Sequence, residues 1–118
     1  MEKCIPFLSK RMNDKLREMF DCGYAHGYVA VPKTHPWFGK SYVGEIENQI
    51  EVHGGITFSG KFPISNDLIM IEEGDKLPED NWVFGFDTAH YGDNLDNCSE
   101  VFCIAETLSL KAQLEKIK

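Results

Sequence analysis

Four histidines, His26, His35, His53 and His90, all lie in or beside three loop-rich stretches. One stretch is Val-His-Gly-Gly-Ile-Thr-Phe-Ser-Gly (52–60), another Asn-Trp-Val-Phe-Gly-Phe-Asp-Thr-Ala-His-Tyr-Gly-Asp (81–93). Imidazoles beside carboxylates can bind metal, move protons or read the polar edges of a ligand. His53, Asp87, His90 and Asp93 supply the two imidazoles and two carboxylates of a divalent-metal site, which could activate water for hydrolysis. On the same residues, His53 or His90 could act as acid or base with Asp87 as its orienter. The spacing Asp-x-x-His-x-x-Asp is nevertheless unspecific, because carboxylates in Gly-rich turns commonly accept bonds from nearby backbone N–H groups. Ser59 and Thr57 have no nucleophile-elbow context, and the four cysteines stand outside these stretches. The reading therefore assigns no catalytic residue, no metal and no cofactor.

The same residues suit binding without turnover. Gly54 and Gly55 allow backbone N–H groups to approach an anion. Trp37, Phe38 and Trp82 offer faces on which a base can stack. Lys33, Lys40 and Lys61 bring local positive charge, and Thr57, Ser59 and Asp87 can hold hydroxyl or amine groups. The predicted ligand-binding set is His35, Trp37, His53, Gly54, Gly55, Thr57, Trp82, Asp87 and His90. A single pocket requires His53 and Asp87, 34 positions apart, to approach each other. Both tryptophans have a competing reading as core residues.

These groups need elements to position them. Trp82, Phe84 and Phe86 alternate, which predicts a strand with one aromatic face over Trp82–Phe86 that delivers Asp87 to a loop. Gly27–Pro32 is a second strand candidate, ended by Pro32. Gln49–Val52 and Ile56–Ser59 read as strand interrupted by the paired glycines, and Leu68–Ile71 as another strand. The spacing of Met12, Leu16, Met19 and Phe20 predicts a helix over Ser9–Phe20 that stops at Gly23. A last helix begins at the Asn97 cap with Glu100 as its capping-box partner; Val101, Ile104, Ala105, Leu108 and Ala112 keep helical spacing, and Leu114 and Ile117 extend the apolar set. The fold class is α+β: a mainly antiparallel sheet of about four strands, with an N-terminal and a C-terminal helix packed on one face.

The 118 residues, 42% hydrophobic and 26% charged, are enough for a single domain over 1–118 with its own core. A net charge of −7 disfavours coating a nucleic acid duplex, which needs a basic face, but leaves room for one small phosphate ligand. The longest apolar run falls short of a membrane span, and the first residues lack a signal-peptide pattern. Cys4, Cys22, Cys98 and Cys103 contain no Cys-x-x-Cys spacing, so reduced, buried thiols are expected. Together these features predict a soluble cytosolic protein without a membrane partner.

Residues 27–42 (Gly-Tyr-Val-Ala-Val-Pro-Lys-Thr-His-Pro-Trp-Phe-Gly-Lys-Ser-Tyr), 52–60 and 82–93 resemble, as an ordered set, a family of small proteins widespread in bacteriophages and prophages. The three blocks cover about a third of the chain and exclude both terminal helices. The resemblance implies a phage accessory protein acting in the cytoplasm of an infected bacterium, and carries over no residue roles. Such proteins often counter host defence, so the pocket chemistry suits sequestration of a small nucleotide-like signal, possible as a homo-oligomer. The alternatives are a metal-dependent hydrolase of a phosphorylated small molecule, and a direct protein inhibitor whose acidic residues 72–80 mimic nucleic acid.

Overall fold

The structure is a computed structural model that describes residues 3–10, 23–89 and 92–117. Its strands are β1 (Ile5–Ser9), β2 (His26–Val31), β3 (Phe58–Gly60), β4 (Ile69–Met70) and β5 (Trp82–Phe86). They form a five-stranded sheet in the order β3-β5-β2-β1-β4, with every pairing antiparallel. The helix α1 (Glu100–Glu115) packs across β2 and β1. The architecture is α+β as expected, but with five strands rather than four.

The alternation read over Trp82–Phe86 holds. Phe84 pairs with Val29 and Phe86 with Gly27 on the sheet face beneath α1, where Leu110 and Leu114 join them in one core cluster. Each such buried side chain contributes about 1.5–3 kcal/mol of transfer free energy. Tyr28, Ala30 and Val83 face the other way, onto Phe7, Phe62 and Leu77. Gly85 lies opposite Tyr28, and a Cβ there would sit 2.3 Å from the Tyr28 ring. Glycine at position 85 thus lets the ring lie flat on the strand.

Several expectations are corrected. Ser9, the start of the predicted N-terminal helix, ends β1 and pairs with His26; residues 11–20 of that helix lie outside the described residues. β1 was not foreseen because Phe7 and Leu8, on opposite faces, are both fully buried, which erases the period-2 signal. Gln49–Val52 is not a strand. The Glu51 N–H donates to Gln113 Oε1 and its carbonyl accepts from Gln113 Nε2, both at 2.8 Å, so a helix side chain replaces the ladder.

The C-terminal helix begins two residues later than the reading. Ser99, not Asn97, is its N-cap, accepting from the Phe102 N–H at 3.2 Å. Its buried stripe is Cys103, Thr107, Leu110 and Leu114, while Val101 is 77% and Leu108 38% exposed. Val101, Ala105, Leu108 and Ala112 of the predicted set are exposed, whereas Leu114, which extends it, is buried. Thr107 is admitted to the interface because β2 carries Gly27 there, where a Cβ would lie 2.2 Å from Thr107 Oγ1. Its hydroxyl is satisfied within the helix by the Cys103 carbonyl at 2.6 Å.

Candidate functional site

The loop over 33–55 is laid along α1 by hydrogen bonds from three helix positions. His35 Nε2 meets the Leu114 carbonyl at 2.7 Å, Gln113 clamps Glu51, and Glu106 Oε1 accepts from the His53 N–H at 2.9 Å. The His53 ring stands edge-on to Phe102, with centroids 5.4 Å apart. His53 is followed by a tight turn in which the Gly55 N–H donates to the Val52 carbonyl at 2.9 Å. Gly54 has φ 69° and Gly55 φ 81°, left-handed values that account for both glycines without a ligand.

That turn aims the imidazole at the segment preceding α1. His53 Nε2 lies 2.8 Å from Asp93 Oδ1 and 3.6 Å from Cys98 Sγ. Asp93 and Cys98 are buried, while the His53 side chain keeps 27% of its surface exposed. The imidazole nitrogen, carboxylate oxygen and sulfur all lie within 4.8 Å of one another.

The segment carrying Asp93 and Cys98 is held by its own side chains. Asn94 Oδ1 accepts from the Asp96 and Asn97 N–H groups, Asn97 returns bonds to Asn94 and Gly92, and the Cys98 N–H donates to the Asn94 carbonyl. The Cys98 carbonyl accepts from the Tyr24 N–H at 2.8 Å, and a Cβ on Gly23 would come within 2.5 Å of Cys98 Cβ. Gly23, read from sequence as a helix stop, sits where Cys98 presses against the backbone.

The electrostatics decide against a reactive thiol. Burial and the neighbouring Asp93 carboxylate push the Cys98 thiol up to about 11, so it is protonated at neutral pH. Reactive cysteines show the opposite, a depressed value and an open surface. The geometry also differs from a nucleophile–base–acid relay, in which the acid binds the imidazole nitrogen remote from the nucleophile. Here Asp93 and Cys98 share one nitrogen.

The remaining predicted residues are placed elsewhere. Trp37 is 8% exposed and packs edge-on against Phe84 in the core beneath α1. His35 accepts from the Trp37 N–H through Nδ1 at 3.0 Å, so its Nε2 carries the proton donated to Leu114, and both nitrogens are occupied. Trp82 is half-buried, donates from Nε1 to the Lys40 carbonyl, and tilts against Phe38 at the start of β5. Asp87 stands five residues further on, about 17 Å along an extended strand. Its carboxylate accepts from the Ala89 N–H at 3.0 Å, as a turn former does. The Thr57 N–H donates to the Gly85 carbonyl, which continues the β3–β5 ladder. His90 lies outside the described residues. The structure therefore joins His53 to Asp93 and Cys98, and places the tryptophan faces apart from them. Cys98 was missed because it stands outside every motif; its position directly before a helix cap was the one local signal.

Two described cavities lie elsewhere. One of about 490 Å³ is lined by Lys61, Phe62, Pro63, Ile64 and Glu79. The other, about 360 Å³, lies between Ile64–Met70 and Asp75–Leu77, on the sheet face away from α1. Neither includes His53, Asp93 or Cys98 among its lining residues. No helix among the described residues is long and apolar enough to cross a membrane. In comparisons with known proteins, no family model, no curated protein and no solved structure matches this chain.

Proposed function

We propose that this chain binds and sequesters a small phosphorylated, nucleotide-like molecule at the end of the sheet where His53, Asp93 and the Gly54–Gly55 turn lie. The observation that supports this reading is the 2.8 Å contact between His53 and Asp93, brought together from two of the three polar motifs. A partly exposed imidazole backed by a buried carboxylate is a preorganised reader of a polar or anionic group. The adjacent glycine turn leaves backbone open to close approach. Retention without turnover is favoured by the engagement of Asp87, the expected orienting carboxylate, with the Ala89 N–H. The resemblance to phage proteins supplies the context: removal of a nucleotide-derived defence signal in an infected bacterium. Neither Trp37 nor Trp82 belongs to this site.

The test is mass spectrometry of small molecules released on denaturing protein that has been incubated with infected-cell extract. The expected result is an intact phosphorylated compound at near one per chain, lost in His53→Ala. Recovery of a cleaved product would replace sequestration with hydrolysis. Recovery of nothing from folded protein would favour direct inhibition of a protein partner.

A further inference from the structure

We infer that His53 Nε2, Asp93 and Cys98 Sγ form a three-ligand site for a zinc-class divalent metal. The inference deepens the sequestration reading and rests on it only for the role given to the open coordination position. The sequence suggested a different set, with Asp87 and His90 beside His53 and Asp93. The structure substitutes Cys98 for Asp87, and a thiolate changes the preferred metal from a hard oxygen-seeking ion to zinc.

Three observations carry the assignment. First, the donors converge on one locus from two separate segments of chain, residues 52–55 and 92–98, each secured by hydrogen bonds of its own. Second, the spacing fits. Zinc bonded tetrahedrally to sulfur at about 2.3 Å and to nitrogen at about 2.0 Å holds those two donors about 3.5 Å apart. Cys98 Sγ and His53 Nε2 are 3.6 Å apart. The Asp93 oxygen, at 2.8 Å from the same nitrogen, needs to open by about half an ångström, a small turn of the carboxylate. Third, sharing of one imidazole nitrogen by two acidic groups makes poor sense for a catalytic relay and good sense for a common cation.

On binding, the Cys98 proton leaves to solvent as the S–H bond is replaced by the metal–sulfur bond. The imidazole binds through the Nε2 lone pair with its proton on Nδ1. The cation neutralises the adjoining Asp93 carboxylate and thiolate. Three protein ligands leave a fourth position on the side where His53 is exposed, open to water or to a phosphate oxygen of the sequestered molecule.

The experiment loads the full chain with zinc(II), removes excess by gel filtration, and measures metal per chain by elemental analysis. Cobalt(II) replaces zinc in a parallel optical titration. The expected result is one zinc per chain and a cobalt–thiolate charge-transfer band. Cys98→Ser and Asp93→Asn should each weaken zinc binding at least a hundredfold. Cys4→Ala, which removes a buried thiol at the far end of α1, about 24 Å away, should bind like the parent. Substoichiometric zinc in folded parent protein, or undiminished binding by Cys98→Ser, overturns the site. If a variant fails to fold, the cobalt–thiolate band of the parent decides: its absence overturns the proposal. Retained small-molecule binding by zinc-free protein would overturn the role given to the open coordination position and leave sequestration standing. Stoichiometric zinc with no ligand recovered would do the reverse.

Discussion

The imidazole of His35 reaches the main-chain carbonyl of Leu114 at 2.7 Å, 79 positions away. The ring is 3% exposed, and its other nitrogen accepts from the Trp37 N–H. A histidine that looks like a ligand contact in the sequence is thus a rivet between a loop and the last turn of α1. His35→Ala should leave the buried Trp37 N–H unpaired and remove one bond from the Leu114 carbonyl, which still accepts from the Ile117 N–H, and cost about 1–3 kcal/mol. Urea unfolding monitored by circular dichroism would measure it; a loss below about 0.5 kcal/mol would mean that the bond is not formed.

Trp37 makes a matching case. Its ring fills the core between Phe84 and His35. Trp37→Ala should destabilise by about 3–5 kcal/mol, as large-to-small core changes do. Affinity for the released compound, measured per folded molecule, should stay within about twofold. A stable variant with lost binding would restore Trp37 as a stacking face.

Gly27 and Gly39 should respond to alanine in different ways. A Cβ at Gly27 meets Thr107 Oγ1 at 2.2 Å and the Phe86 ring at 2.4 Å, so α1 must lift from β2. Overpacking of this kind costs about 1–3 kcal/mol or more. Gly39 has open space but φ 84°, so alanine there meets backbone strain alone, about 1 kcal/mol. Thermal unfolding should rank Gly27→Ala well below Gly39→Ala; the reverse order would contradict the helix–sheet packing.

Alkaline pH should weaken the zinc-free fold through two thiols. Burial, then the nearby Glu115 carboxylate, pushes Cys4 from about 9 up to about 12, and burial with Asp93 pushes Cys98 up to about 11. Between the unfolded and folded values the folded chain holds more protons than the unfolded one, so stability falls as pH rises. The contribution is complete below about pH 9 and is lost on passing through pH 11–12. Cys4→Ala should flatten the upper part of this profile, as seen in denaturation midpoints between pH 8 and pH 11.5. An unchanged slope would place the Cys4 thiol in contact with water.

The sequence alone determined the elements whose signals are local. Trp82, Phe84 and Phe86 alternate with the smaller Val83 and Gly85, the aromatic side chains on one face and the small residues on the other, and β5 is legible from that alternation. Gly54 and Gly55 announce a turn because only glycine adopts positive φ cheaply, and both have it. The α+β class and the C-terminal helix follow from such local patterns. Tertiary structure decided what rests on contacts between distant residues. β1 shows no alternation because the sheet is covered on both faces. α1 carries two apolar stripes, and the sheet receives the one containing Thr107, which fits the gap at Gly27, over the one containing Leu108. The tryptophans became core or sheet-end residues by the packing of the loop over 33–42. Above all, His53 chose its partners through the fold: Asp93 and Cys98 are 40 and 45 positions away, and no spacing rule joins them. The Asn94-centred turn and the Gly23 contact place the carboxylate and thiol, and Glu106 and the glycine turn place the imidazole. Their meeting is set by long-range packing energy, which local sequence patterns do not encode.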